Sequence, residues 1–263
     1  MSSLTYALSD SATMLRRNLR HMQRYPSMTL MLIGQPIVFL LLFVYVFGGT
    51  MGAGIAGLKG GRSEYLAYIT PGILLMTIAS VSLGTAISVA MDMTKGIMSR
   101  FRTMSIARVS VLTGHVLGAM IQTFLALVVV TGVAIALGFR PHASALDWLG
   151  LVGVLALFAL ALTWFTVALG LVSDSVETAS NLPMFLVLLP FLGSGFVPTS
   201  TMPAGLRWFA ANQPFTPLIE IVRGLLTGHP DGGTALRAVL WSVAIAALGY
   251  VWAKRLYNRE PRF

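Results

Sequence analysis

The sequence contains no cysteine and few charged residues. Of its 263 residues, 10% are charged and nine are acidic, whereas a soluble domain carries about 25% charged residues. The absence of cysteine excludes disulfide bonds and thiolate chemistry in this chain. Because 56% of the residues are hydrophobic and the charges fall in short blocks between long apolar runs, the composition predicts a protein that lies mostly in lipid.

Sequence motifs for nucleotide binding, metal binding and ion coupling are also missing. There is no G-x-x-x-x-G-K-[ST] loop to hold ATP, and the four histidines lack the spacing of metal ligands. Acidic residues lie in loops or at the ends of apolar runs, whereas ion-coupled carriers need carboxylates inside the membrane. The sequence therefore predicts neither an enzyme nor an ion-coupled carrier, and it assigns no cofactor to this chain. His115, which lies inside an apolar run, is predicted to make a polar contact between helices rather than to relay protons.

Six apolar runs are long enough to cross a hydrocarbon core about 30 Å thick. The fifth run is short and is interrupted by Pro183 and Pro190. We therefore predict an all-α membrane protein with a single transmembrane domain over residues 1–263, whose first span is retained rather than cleaved as a signal peptide. The predicted spans cover about residues 28–47, 66–91, 109–137, 148–172, 182–197 and 235–253.

The segment from Leu4 to Arg24 has the pattern of an amphipathic helix. Its leucines form one narrow stripe, and its arginines lie on the far side. A basic face opposite a leucine stripe predicts a helix that lies flat among lipid headgroups. The alternative, a soluble helix packed on a globular core, is disfavoured because the chain offers no other soluble core. The arginines of this predicted interfacial helix are Arg16, Arg17, Arg20 and Arg24.

The distribution of lysine and arginine predicts the orientation. With six spans, both termini share a side with the second and fourth loops, and that side carries twelve of the eighteen basic residues. This bias places both termini in the cytoplasm of a multi-pass plasma-membrane protein, and the inverted topology would require the bias to fail. Because the basic residues stand at the ends of apolar runs, the net charge of +9 does not indicate nucleic-acid binding.

The stretch between the fifth and sixth spans, residues 198–233, is too apolar to be an ordinary water-exposed loop. Its prolines separate two short pieces with helical patterns, and we predict that both pieces re-enter the membrane and gate its outer face. Glu220 and Arg223 are three residues apart and can pair, which would brace the fold. The predicted gate residues are Pro203, Trp208, Pro214, Pro217, Glu220 and Arg223.

A basic segment from Asp92 to Arg108 follows the second span. It combines arginines with an aromatic residue and methionines, which is typical of a surface that docks into a groove on a soluble partner. A juxtamembrane helix on anionic headgroups explains the pattern equally well. Asp174 and Glu177 stand in the one acidic loop. The contact residues of the basic segment are Lys95, Ile97, Arg100, Phe101, Arg102 and Met104.

Four stretches of the chain resemble ABC-2 type permeases of the daunorubicin-resistance branch. These are TKGIMSRFRTMSIARVSVLTGHVLG, EYLAYITPGILLM, SVETASNLPMFLVLLPFLGSGFVP and TMPAGLRWFAANQPFTPLIEIVRGLL, which occur in the family's order between about Met14 and Tyr257. The chain departs from the family pattern at Ser99, where aspartate is common, and at Ser105, where proline is common.

The resemblance implies a dimer of permeases, homomeric or with a related chain, and two separate ATP-binding subunits that hold ATP and magnesium. It implies a coupling helix at about residues 94–107, a second contact with the ATP-binding subunit around residues 174–179, and external helices before the sixth span. It further implies outward transport of amphipathic drugs, antibiotics or lipids. Three alternatives stay open: an exporter of polysaccharide or lipid-linked glycan, a non-transporting membrane scaffold or immunity protein, and a partner-free channel.

Overall fold

The computed structural model describes residues 3–24, 26–49, 61–96 and 108–258, and most of these residues are helical, with no β-strand among them. The long apolar runs form the long helices because, without water, a backbone must satisfy its hydrogen bonds internally. The helices are α1 (Ser3–Arg24), α2 (Pro26–Leu42, continued as a π-helix over Phe43–Phe47), α3 (Arg62–Thr94), α4 (Arg108–Ala136), α5 (Ala145–Val172), α6 (Val176–Asn181), α7 (Met184–Leu188), α8 (Ala204–Asn212), α9 (Phe215–Thr227) and α10 (Gly232–Asn258).

Five helices in the described residues are long and apolar enough to cross a membrane. They are α2 with its π-helical extension, α3, α4, α5 and α10. Their bounds lie within a few residues of the predicted spans, because the length of each apolar run and its flanking polar residues define the ends. A capping box between Ser144 and Asp147 begins α5, and Asp231 accepts a hydrogen bond from the Thr234 amide at the start of α10.

The predicted fifth span, about residues 182–197, is not one continuous helix. The chain forms α6 and α7 and then a series of turns through Phe196. Pro183 and Pro190 have no N–H to donate, and Gly193 and Gly195 weaken a helix further. The count of six continuous spans is therefore not confirmed.

Close backbone contacts hold the bundle together, with α3 at its centre. A Cβ atom on Gly72 would lie 2.8 Å from the Gly195 carbonyl oxygen, and one on Gly170 would lie 2.6 Å from the Ala86 carbonyl oxygen. Helices in membranes associate through such small residues because lipid supplies no hydrophobic force between them. In the most apolar part of α3, 83% of the residues are buried, against 22% for α2 and α10.

The predicted N-terminal helix is present as α1, and it packs against the first half of α4. A Cβ atom on Gly114 would lie 2.4 Å from Met14 Cβ, and one on Gly118 would lie 3.2 Å from Asn18 Cβ. The two glycines, four residues apart, form a shallow groove for the side chains of α1. Its placement among headgroups remains a prediction.

The bundle has two distinct ends. Arg17 of α1, Asp92 of α3 and the C-terminal part of α10 meet at one, where Tyr257 packs in one apolar cluster with Val89 and Val111. We call this the Asp92 end. The Arg223 end holds α8, α9 and the connection between α4 and α5, since the His142 amide donates to the Leu226 carbonyl.

Candidate functional site

A cluster of three side chains, which we call the Asp92 clasp, ties three helices together at the Asp92 end. Arg17 Nη2 on α1 donates to Asp92 Oδ2 on α3, and His115 Nε2 on α4 lies 3.1 Å from the same oxygen. The side chain of His115 is 3% exposed, that of Asp92 13% and that of Arg17 35%. A carboxylate shielded from water by two donors attracts them more strongly than a surface carboxylate does.

The clasp closes the base of the predicted coupling segment. Asp92 lies in the last turn of α3, which ends at Thr94, and His115 lies in the second turn of α4, which begins at Arg108. Their contact therefore fixes the spacing of the two helices from which the segment extends. Arg17 attaches α1 to the same point. The prediction that His115 makes a polar contact between helices is confirmed.

Most of the predicted coupling residues lie outside the described part of the chain. Lys95 is described and exposed, in a turn where its amide donates to the Met91 carbonyl and Gly96 adopts a φ of 67°. This turn ends α3 and changes the direction of the chain. The coupling role stays a prediction. The residues outside the described part are Ile97, Arg100, Phe101, Arg102 and Met104.

The acidic loop lies at the same end of the bundle as the clasp. It follows directly after α5, whose Gly170 packs against Ala86 and Val89 of α3. Asp174 and Glu177 are both exposed, as a contact with another subunit would require. The Glu177 backbone amide and the Ser175 hydroxyl hold the pKa of the Glu177 carboxyl below its usual range.

The four arginines of α1 do not share one face. Arg16, Arg20 and Arg24 are exposed. Arg17, however, turns with Met14 and Asn18 toward the bundle, where it bonds to Asp92. Helical periodicity places Arg17 near the basic face and cannot reveal a partner 75 residues away, so this contact was not predicted. The repeat of Gly114 and Gly118 was the available signal, since it marks a surface for close helix packing.

At the Arg223 end, the guanidinium of Arg223 lies among three elements. Its Nη2 donates to the Ser194 carbonyl at 2.6 Å and to the Tyr68 carbonyl at 3.2 Å. Its Cζ lies 4.0 Å from the centroid of the Tyr68 ring, in a cation–π contact. We call this arrangement the Arg223 cradle. It joins α9 to α3 and to the turns that follow α7.

The expected pairing of Glu220 with Arg223 is not what holds this end. Both ion pairs recorded among the described residues involve Asp92, and Arg223 bonds to carbonyls instead. Burial raises the pKa of the Glu220 carboxyl, although Arg223 and Arg237 act in the opposite direction.

The other predicted gate residues lie around α8 and α9. Pro214 precedes α9, Pro217 is buried in its first turn, Pro203 is exposed before α8, and Trp208 is 71% exposed. The gating role stays a prediction.

These features define a helical membrane protein whose charged contacts lie at the two ends of one central helix. The chain belongs to the ABC-2 type transporter family, whose model matches residues 11–227. Membership implies an ABC ATP-binding partner, and it makes the chain a transporter component rather than an enzyme.

Curated relatives carry the names of drug-resistance permeases. The chain is 29% identical over 256 residues to the daunorubicin resistance ABC transporter permease protein DrrB1 of Streptomyces coeruleorubidus. The alignment covers 97% of this chain and 88% of that protein. It is 26% identical over 232 residues to the doxorubicin resistance permease DrrB of Mycobacterium tuberculosis, with coverage of 84% and 76%. Identity to the probable doxorubicin resistance permease DrrC of the same species is 23% over 213 residues, with coverage of 81% and 75%.

Proposed function

We propose that this chain is the membrane subunit of an ATP-driven exporter that moves amphipathic drugs or antibiotics out of the cell. Two ATP-binding subunits and a second permease chain complete the assembly, with ATP and magnesium held outside this chain. The observation that carries the proposal is the Asp92 clasp at the base of the predicted coupling segment, in a chain of the ABC-2 type family. The names of the relatives support the class of substrate.

The path of the chain supports a sixth crossing of the membrane, made by residues 182–197. Arg17 and Tyr257 lie at the same end of the bundle, whereas five crossings would leave them at opposite ends. The chain leaves α5 at the Asp92 end, and Gly195 then meets Gly72 toward the Arg223 end. Residues 182–197 thus form a discontinuous span, whose irregular backbone is tolerated where protein covers it.

In the proposed mechanism the clasp transmits motion. ATP draws the two ATP-binding subunits together, and they displace the coupling segment at the cytoplasmic side. Because Asp92 and His115 hold both helices that flank this segment, α3 and α4 tilt together, and Arg17 moves α1 with them. The pieces around α8 and α9 re-enter the outer leaflet and gate the exit.

The test uses the complex of this chain with its ATP-binding subunit in inside-out vesicles, with doxorubicin as the fluorescent substrate. We expect ATP-dependent uptake by the wild type. Phe101→Ala with Arg102→Ala should lower uptake at least tenfold and abolish the stimulation of ATP hydrolysis by substrate, because the coupling segment loses the side chains with which it contacts the ATP-binding subunit.

A matched control replaces an aromatic and a basic residue elsewhere at the Asp92 end. Tyr250→Ala with Lys254→Ala on α10 should retain most of the uptake. If the Phe101 and Arg102 variant transports normally, the coupling segment is misassigned. If the wild-type complex transports a glycan but no drug-like amphiphile, the substrate class is wrong.

A further inference from the structure

Beside the clasp lies a cavity of about 290 Å³ that the proposed export cycle does not use. Four helices line it: α1, α2, α3 and α4. Gln122 Nε2 of α4 donates to Thr29 Oγ1 of α2 at 3.1 Å, which joins two of its walls. We call it the Asp92 cavity.

The polar side of the cavity has an excess of positive charge. Arg17 and Lys95 contribute two cations, and Asp92 is the one carboxylate among the lining residues. Asp92 Oδ2 already accepts from Arg17 and His115. Uncharged groups that can donate hydrogen bonds stand beside these charges: Asn18, Ser88 and Gln122. Such a set favours an anion with several acceptor oxygens.

The cavity is also lined by apolar side chains, which we call the apolar wall: Met22 of α1, Met28 and Leu32 of α2 and Ala119 of α4. Methionine side chains adapt to irregular hydrocarbon shapes. A site lined by both cations and apolar side chains matches a molecule with a charged head and a hydrocarbon tail.

The position of the cavity fits the headgroup level of a bilayer. It lies at the end of three spanning helices, under the amphipathic helix α1, whose Arg16, Arg20 and Arg24 are exposed nearby. Basic pockets between spanning helices at this level bind anionic lipid headgroups. Docking of α1 over Gly114 and Gly118 forms one wall, so occupancy of the cavity depends on where α1 lies.

We propose that the Asp92 cavity binds the anionic phosphodiester headgroup of a membrane phospholipid, with the phosphate between Arg17 and Lys95 and the acyl chains along the apolar wall. The bound lipid holds α1 against α4 and stabilises the clasp. This proposal does not depend on what the protein exports.

The test measures lipid binding to the purified full-length chain in a neutral detergent, by native mass spectrometry. The probes are dioctanoyl phosphatidylglycerol, dioctanoyl phosphatidylcholine, inorganic phosphate and dodecyltrimethylammonium. We expect phosphatidylglycerol to bind at least tenfold more tightly than phosphatidylcholine. Arg17→Gln with Lys95→Gln should remove that preference.

A matched control removes the same amount of charge from the outer face of the same helix. Arg16→Gln with Arg20→Gln should change the affinity for phosphatidylglycerol less than twofold. Because Arg17→Gln also disrupts the clasp, Lys95→Gln alone and Ser88→Leu, which fills the cavity without changing charge, serve as further variants. Each should weaken phosphatidylglycerol binding at least threefold, with unchanged elution and helical content.

Three results would overturn the proposal. Equal losses in the cavity variants and in the Arg16 and Arg20 variant would show diffuse attraction to a basic surface. Displacement of the lipid by inorganic phosphate at equal concentration would show that the apolar wall holds no acyl chain. Tighter binding of dodecyltrimethylammonium than of phosphatidylglycerol would show that Asp92 makes this a site for cations.

Discussion

The two ends of α3 hold a charged side chain by different means. At the Asp92 end, one carboxylate accepts from side chains of two other helices. At the Arg223 end, one guanidinium donates to backbone carbonyls and covers the Tyr68 ring. In the clasp, Arg17 is 35% exposed and can separate from Asp92 into solvent, whereas the side chains of Asp92 and His115 are 13% and 3% exposed. In the cradle the acceptors are the Tyr68 and Ser194 backbone carbonyls, which are held in place by the packing of the bundle.

This difference suits the two ends for different tasks. The Arg17 ion pair of the clasp has a partly exposed cation, so it can open toward water and re-form, and it contributes less to stability than a fully buried pair would. A buried cation between carbonyls contributes more to stability, because its removal takes a charged hydrogen-bond donor away from both carbonyls. The Asp92 end is therefore suited to transmit movement, and the Arg223 end is suited to fix the turns after α7 on α3.

The comparison is tested most directly by removing the charge of Arg223 and that of Asp92 in separate variants. Arg223→Ala should lower the free energy of unfolding by about 3 kcal/mol, since two hydrogen bonds from a charged donor are lost. Asp92→Asn should cost about 1 kcal/mol, because the amide keeps the shape and one acceptor. The measurement is chemical unfolding of the full-length chain in detergent micelles.

A control for the first change is Arg207→Ala, since Arg207 also donates to carbonyls, those of Ser200 and Met202, but within its own connection. We expect a cost below about 1 kcal/mol, because these bonds join no separate helices. Equal losses for Arg223→Ala and Arg207→Ala would remove the distinction between a cradle and an ordinary surface arginine.

A second prediction concerns the docking of α1 at the Asp92 end. Gly114→Ala should force α1 away from α4, because the new Cβ would lie 2.4 Å from Met14 Cβ. We expect about tenfold faster amide hydrogen exchange in α1. Gly132→Ala on the same helix is the control, since its Cβ would meet nothing within 4 Å. Similar exchange in both variants would contradict the close packing of α1.

The sequence predicts the spanning helices better than the contacts at their ends. The five long helices follow from run length, because membrane thickness sets how many apolar residues a helix needs. Pro183 and Pro190 already indicate where the broken segment lies. The clasp and the cradle could not be predicted, because their partners lie 75 and 155 residues apart in the sequence. Local spacing instead predicts that Arg223 pairs with Glu220. In the structure the Tyr68 and Ser194 carbonyls accept the hydrogen bonds of the Arg223 guanidinium.

The prediction with the smallest expected effect concerns pH. The contributions of Glu220, at the Arg223 end, and of Glu177, at the Asp92 end, to the stability of the fold should change in opposite directions as pH falls. Burial raises the pKa of Glu220 in the folded chain, so its contribution to stability is present at acid pH and is lost as pH rises through that pKa. Hydrogen bonds lower the pKa of Glu177, so its contribution is present at neutral pH and is lost as pH falls. Glu220→Gln should therefore raise stability slightly at about pH 7.5, and Glu177→Gln should lower it slightly.

Near pH 4, where free glutamate is about half protonated, both differences from the wild type should shrink. The thermal midpoint of the full-length chain in detergent, measured at both pH values, gives the comparison. A stabilising effect of both variants at neutral pH would mean that Glu177 gains nothing from its Ser175 and backbone hydrogen bonds. A destabilising effect of both would mean that Glu220 is held as a carboxylate by Arg223 and Arg237, so that the Arg223 end, like the Asp92 end, depends on attraction between opposite charges.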